Sequence, residues 1–190
     1  MKEFSEEIKS ALIVLRSKGV ILYPTDTIWG IGCDATIPEA VQKIFAIKKR
    51  REENAFILLL DHESRLLSYV KDVPEQAWML IEHTEKPLTI IFDQAKNLPP
   101  EVIASDGSVA IRITRDPFCQ GLISALRKPL VSTSANISGE PYPSSFSDIN
   151  PEIISGVDYV VNHRQNENSI LKPSTILRLK TNGQIQFIRR

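Results

Sequence analysis

The 190 residues hold only two cysteines, Cys33 and Cys119, far apart and in no metal-ligand spacing. That excludes a Cys-x-x-Cys redox pair and gives no reason to expect a disulfide framework; buried structural thiols are expected instead. No apolar run approaches the ~20 residues needed to span a bilayer, so a membrane-spanning helix is not expected. Charge of neither sign dominates, with 23 Lys and Arg against 23 Asp and Glu. Bulk charge therefore gives no hint of nucleic-acid binding, and any RNA contact would need a local patch. The glycine-rich loops GxxxxGK[ST] and GxGxxG are missing, so nucleotide binding is not announced by the usual phosphate cradles. There is no HExxH, and His62, His83 and His163 are scattered; they read as surface or capping residues. The charged N-terminus lacks the three-part pattern of a signal peptide, which makes the cytoplasm the expected location.

What is present describes an ordinary globular chain. Hydrophobic residues make up 42% and charged residues 24%, enough apolar material for a real core, and the length suits one domain over residues 1–190. Ile8, Leu12 and Leu15 recur at helical spacing, with Gly19 as a stop. Pro38 sits in the first turn of a second helix, where its missing N–H costs nothing. "FILLL" reads as a strand covered on both faces. A helix at "PEQAWMLIEHT" and strands at "PLTIIF" and "SVAIRI" follow, then a helix from Pro117 capped by Asp116. "PLVSTS", "DYVVN" and "STILRLK" read as later strands, and Asn182-Gly183 as the turn of a closing hairpin. Early alternation of helix and strand with a hairpin at the end predicts an α/β domain with a mixed sheet.

Four polar clusters lie beside these apolar elements. "YPTDTIWGIG" carries a strand into a turn with Thr25, Asp26 and Thr27. Small hydroxyls and close backbone there suit a small zwitterion, or simply a locally bonded turn. "KKRREEN" follows a helix; if the chain is extended here, Lys48 and Arg50 point the same way and could hold a triphosphate, while the plainer reading is charge at a helix C-terminus. "STSANISGEPYPSS" delivers hydroxyls and an amide into a long loop at a strand end, a frequent place for sites in α/β proteins, or a solvent-facing connection. "KPSTILRL" opens a strand with Ser174 and Thr175. Arg112, inside an apolar strand, needs a partner or an anionic ligand if it is buried; an exposed place on the strand's polar face is the alternative.

Taken in order, "YPTDTIWGIGCDA", "AVQKIFAIKKR", "PLTIIF", "SVAIRI", "STSANISGEP" and "PSTIL" resemble the YrdC-like threonylcarbamoyl-AMP synthase family, in its short, single-domain form. The resemblance implies a twisted mixed α/β sheet with flanking helices and a large concave cavity. It implies L-threonylcarbamoyladenylate synthesis from L-threonine, bicarbonate and ATP with Mg2+, serving tRNA modification. It also implies roles: Lys48 and Arg50 catalytic; Lys48, Arg50, Asn54, Arg112, Asn136, Ser144 and Arg189 on ATP; Thr27, Ser134 and Ser174 on threonine. Contact with the tRNA threonylcarbamoyl transferase machinery and with RNA are further expectations. The sequence departs from the family at Arg51, which replaces a proline, and at Ala55-Phe56, which replaces a Pro-Leu pair. It departs again at Leu59 and Asp116, where some members have histidine. Two rival readings are an RNA-binding protein resembling the YciO branch of this fold and a carbamoyl-transfer domain of the hydrogenase-maturation type. Zero net charge weighs against the first, and the absence of zinc motifs and of an acylphosphatase part against the second.

Overall fold

The computed structural model describes residues 4–49, 56–167 and 172–189. Its strands are β1 (Ile21–Tyr23), β2 (Gly30–Gly32), β3 (Ile57–Leu60), β4 (Leu88–Phe92), β5 (Val109–Ile113), β6 (Leu130–Ser134), β7 (Tyr159–Val160), β8 (Thr175–Leu179) and β9 (Ile185–Arg189). The helices are α1 (Ser5–Arg16), α2 (Pro38–Lys48), α3 (Leu66–Tyr69), α4 (Glu75–His83), α5 (Pro117–Leu126) and α6 (Pro151–Gly156). Nine strands form one sheet in the order β7-β1-β2-β6-β3-β5-β4-β8-β9. The pairs β1/β7, β3/β5 and β4/β8 are parallel and the rest antiparallel, so the sheet is mixed as expected.

Pleating sends alternate side chains to opposite faces, and each face is used differently. On one face α2, α3, α4 and α6 close the larger core with Ile31, Leu58, Leu60, Ile90, Ile111, Val131 and Leu177. Each such fully buried aliphatic side chain stabilises the fold by about 1.5–3 kcal/mol. On the other face α1 and α5 cover only part of the sheet, over Ile21, Tyr23, Leu59 and Leu130. Beyond that layer the same face carries Ser132, Ile57, Arg112, Ile176 and Arg189, which follow from register and alternation. The uncovered part of this face is where the pocket lies.

Local signals explain most element ends. Pro38 is at the start of α2, and Lys49 leaves it in the left-handed region at φ 51°. Asp116 caps α5 by accepting from the Cys119 amide at 2.9 Å. At the end of α1 the left-handed residue is Lys18 rather than Gly19. Gly19 is required by crowding, since a Cβ there would lie 2.8 Å from the Val14 carbonyl oxygen. The closing hairpin has the expected Asn-Gly but a longer turn. Lys180 and Gln184 close it at 3.0 Å, with Gly183 at φ 83°. That is a three-residue connection ending in a left-handed glycine.

Candidate functional site

The turn between β1 and β2 brings Thr25, Asp26 and Thr27 to the open face, and its hydroxyl bonds have a fixed direction. Thr25 Oγ1 donates to the Ile28 carbonyl at 2.8 Å and accepts the Thr27 amide at 3.0 Å. Its proton is thus committed. In the 2.9 Å contact between Thr25 Oγ1 and Thr27 Oγ1, Thr27 must therefore be the donor, because a hydroxyl carries one proton. Arg112 Nη1 donates to Thr27 Oγ1 at 2.9 Å. Thr27 is left with acceptor capacity alone for anything that enters the pocket.

Arg112 rises from the middle of β5 and is 4% exposed, which settles its buried alternative. Its Nη2 lies 3.2 Å from Asp26 Oδ1, yet that oxygen and Arg112 Nε have no aligned hydrogen-bond partner. A buried guanidinium with an unused N–H costs free energy. Arg189, on edge strand β9, reaches back to the Ser174 carbonyl through Nε and Nη2 at 3.1 and 2.9 Å. Burial, with the like charge of Arg112 as a smaller cause, pushes the Arg189 pKa below its ordinary value. Ser174 Oγ meets Thr89 Oγ1 at 2.8 Å, both buried.

Thr27, Arg112, Ser174 and Arg189 line one pocket of about 290 Å³ with Trp29, Gly30, Phe56, Ile57, Ser132, Ser134, Tyr142 and Ile176. Its size is near the lower end of ligand pockets, about 300–1,000 Å³. Thr27, Ser134, Ser174, Arg112 and Arg189 are thus brought together as expected. Ser144 lines a smaller neighbouring hollow that shares Thr27, Ile28 and Trp29 with the pocket. Arg50 and Asn54 lie outside the described residues.

Lys48 takes the helix-end alternative. It is the last residue of α2, not part of an extended segment, and is 2% exposed. Its ammonium donates to the carbonyls of Ser134 and Asn136 and, at 3.3 Å, to Asn136 Oδ1. Asn136 Nδ2 in turn donates to the carbonyls of Ile137 and Glu140 at 3.1 and 2.6 Å. Lys48 and Asn136 therefore pin the chain as it leaves β6, just behind Ser134, and neither lines the pocket. The low dielectric around a buried ammonium makes such carbonyl contacts strong.

Sequence reasoning passed over Trp29, Ser132 and Tyr142. All three lie inside motifs singled out above, and strand alternation from Ser134 places Ser132 on the same face. Leu59 is fully buried under α1 and α5, and Cys33 and Cys119 are both buried thiols. Burial raises both thiol pKa values. Among the histidines, His62 caps a short turn through the Ser64 amide. His163 packs between Phe4 and Phe118, an aromatic contact that its isolation in the sequence did not suggest.

The model of one family, Sua5/YciO/YrdC, described as "Telomere recombination", matches residues 13–190. The chain belongs to the Sua5/YciO/YrdC family. A Pseudoalteromonas translucida relative named threonylcarbamoyl-AMP synthase is 34% identical over 89% of this chain and 91% of its own. A Vibrio campbellii relative of the same name is 32% identical over 95% of this chain and 96% of its own. P. abyssi Sua5 complexed with L-threonine superposes with TM-score 0.87 at 27% identity over 96% of this chain. The chain spans about half of that structure, 53%. E. coli YciO gives 0.82 at 25% identity, covering 97% of this chain and 89% of its own. The fold is thus shared with P. abyssi Sua5 and E. coli YciO.

Proposed function

We propose that this chain is an L-threonylcarbamoyladenylate synthase, joining L-threonine, bicarbonate and ATP with release of pyrophosphate, in support of threonylcarbamoyladenosine formation in tRNA. The observation that carries the reading is the convergence of Thr27, Arg112, Ser134, Ser174 and Arg189, from separate strands and turns, on one pocket. It stands in a chain matching relatives of that name over nearly its whole length.

In this reading the amine of threonine adds to bicarbonate with loss of water, or to carbon dioxide with loss of a proton, and gives an N-carboxylate. A carboxylate oxygen then attacks the α-phosphorus, and the bond to the departing pyrophosphate breaks. The reactants carry several negative charges, so positioning and charge compensation supply most of the acceleration. Thr27, as an acceptor, receives an N–H or O–H of the amino acid. Ser134 and Ser174 offer hydroxyls on the same wall, and the Arg112 guanidinium supplies positive charge to anionic groups. Arg189 completes the cationic side, while Arg50 and Asn54 reach the nucleotide and Ser144 closes on it. Lys48 serves through the β6 end that it pins. Among the described residues no group of three or more His, Cys, Asp or Glu gathers as a metal site. Magnesium would be held mainly by the nucleotide's phosphates and water. The same reading places the protein in the cytoplasm, where it passes product to the tRNA threonylcarbamoyl transferase machinery.

The test is pyrophosphate release by the pure protein with ATP, magnesium, bicarbonate and labelled threonine. Release should depend on threonine, and Arg50→Ala should lower it by about tenfold or more, the loss of one charge-assisted bond. Salt-dependent RNA binding without threonine-dependent turnover would point instead to a YciO-like role.

A further inference from the structure

Arg164 lies outside the pocket and outside every motif singled out in the sequence, yet its guanidinium joins separate parts of the fold. Nη1 donates to Asp116 Oδ2 at 3.0 Å and to the Thr25 carbonyl at 3.3 Å, and Nε donates to Glu167 Oε2 at 2.7 Å. The Arg164 side chain is 20% exposed and that of Asp116 8%, so the pair is largely shielded from solvent screening. The backbone of Arg164 is left-handed at φ 60°. A residue with a Cβ pays roughly 1–3 kcal/mol for such a conformation and keeps it only where its surroundings over-determine it. The side chain's fan of contacts is that over-determination.

We propose that Arg164, with Asp116, is a positioning residue for the amino-acid end of the pocket. It fastens the Thr25 carbonyl, and through it the turn whose hydroxyl relay presents Thr27 as an acceptor. Thr25 is the junction. Its carbonyl takes Arg164, while its hydroxyl receives the Thr27 hydroxyl and amide and passes its own proton to Ile28. Release of the carbonyl lets Thr25 rotate, which disturbs both Thr27 contacts at once. Asp116 divides its carboxylate between two tasks, with Oδ1 capping α5 and Oδ2 holding Arg164. The resemblance places Asp116 where some family members have histidine; here that position carries the charge that holds Arg164.

The inference rests on the proposed reaction for its kinetic consequence but not for its structural one, and the test separates them. In Arg164→Gln the KM for threonine should rise about tenfold while the KM for ATP stays within about twofold, a split that general destabilisation does not produce. Arg164→Lys, keeping the charge but not the fork, should recover part of the loss. Asp116→Asn keeps a good helix cap and should shift the threonine KM the same way. Combining it with Arg164→Gln should add little more, as expected for residues acting as one unit. Independently of any turnover, hydrogen exchange of the Thr27 amide should quicken about tenfold in Arg164→Gln, while Ile90 in β4 is unchanged. If the wild type releases no pyrophosphate with threonine, the proposed reaction fails and the exchange experiment alone decides the clasp. Unchanged Thr27 exchange in Arg164→Gln overturns the clasp. So does an unchanged threonine KM in either a folded Arg164→Gln or Asp116→Asn variant of an active enzyme. Should Arg164→Gln not fold, Asp116→Asn decides on the same two readouts.

Discussion

A hydroxyl has one proton to give, and at Thr27 that limit sets what the pocket can recognise. Its proton goes to Thr25 and one lone pair takes Arg112, leaving Thr27 to accept from a ligand donor such as an ammonium. Thr27→Val keeps the shape and removes both functions. The threonine KM should rise by about tenfold, near the value of a lost hydrogen bond that also strands a buried donor, and Thr27→Ser should restore most of it. A Val variant with unchanged threonine KM would refute the acceptor role. The hydroxyls themselves were legible in "YPTDT", since a strand entering a turn rich in threonine and aspartate concentrates small polar groups. Their polarity was not legible, because it depends on where the Ile28 carbonyl falls. Lys48 shows the same limit from the other side. Its cationic chemistry was plain in the sequence, but whether an ammonium meets a phosphate or a pair of carbonyls depends on β6, distant in the chain.

At the scale of elements, short strands with one close approach govern the site's shape. β2 is three residues long and carries Gly30 into the pocket wall. Gly32, two residues on, packs so closely that a Cβ would sit 2.5 Å from the Val131 carbonyl oxygen and 2.8 Å from the Tyr23 ring. Backbone and a fully buried ring cannot move aside cheaply. Gly32→Ala should therefore destabilise by roughly 1–3 kcal/mol, as overpacking does, seen as a lower urea midpoint at unchanged slope. Gly30→Ala meets nothing nearer than 3.5 Å and should be close to neutral in the same experiment. Equal midpoints for the two variants would contradict this account of β2. Both glycines lie in "YPTDTIWGIG", but only the structure tells them apart. β2 itself was absorbed into a motif and not read as a strand, since three residues are too few for a period to show. α5 was read well because Asp116 and Pro117 mark its start by purely local chemistry.

For the whole molecule, the decisive feature is that one sheet face is only partly covered. α1 and α5 bury Ile21, Tyr23, Leu59 and Leu130, and the sheet continues past them, lined by serines, threonine and arginines instead of leucines. The apolar runs foretold a mixed sheet with helices on it, because buried strands and amphipathic helices each carry their own periodicity. Strand order was not foretold: β6 lies between β2 and β3, and β8 beside β4, pairings set by packing across long stretches of chain. The resemblance to a known family supplied what periodicity could not, by grouping hydroxyls and cations that the topology then brings together. The central claim is that this open face holds an amino acid beside a nucleotide so that an N-carboxylate can reach the α-phosphorus. The most direct measurement is mass analysis of the adenylate formed from ATP, magnesium, threonine and carbon-13 bicarbonate. The account predicts a threonylcarbamoyl adenylate carrying the heavy carbon, with one pyrophosphate per molecule. An adenylate lacking that carbon, or pyrophosphate release indifferent to threonine, would contradict it.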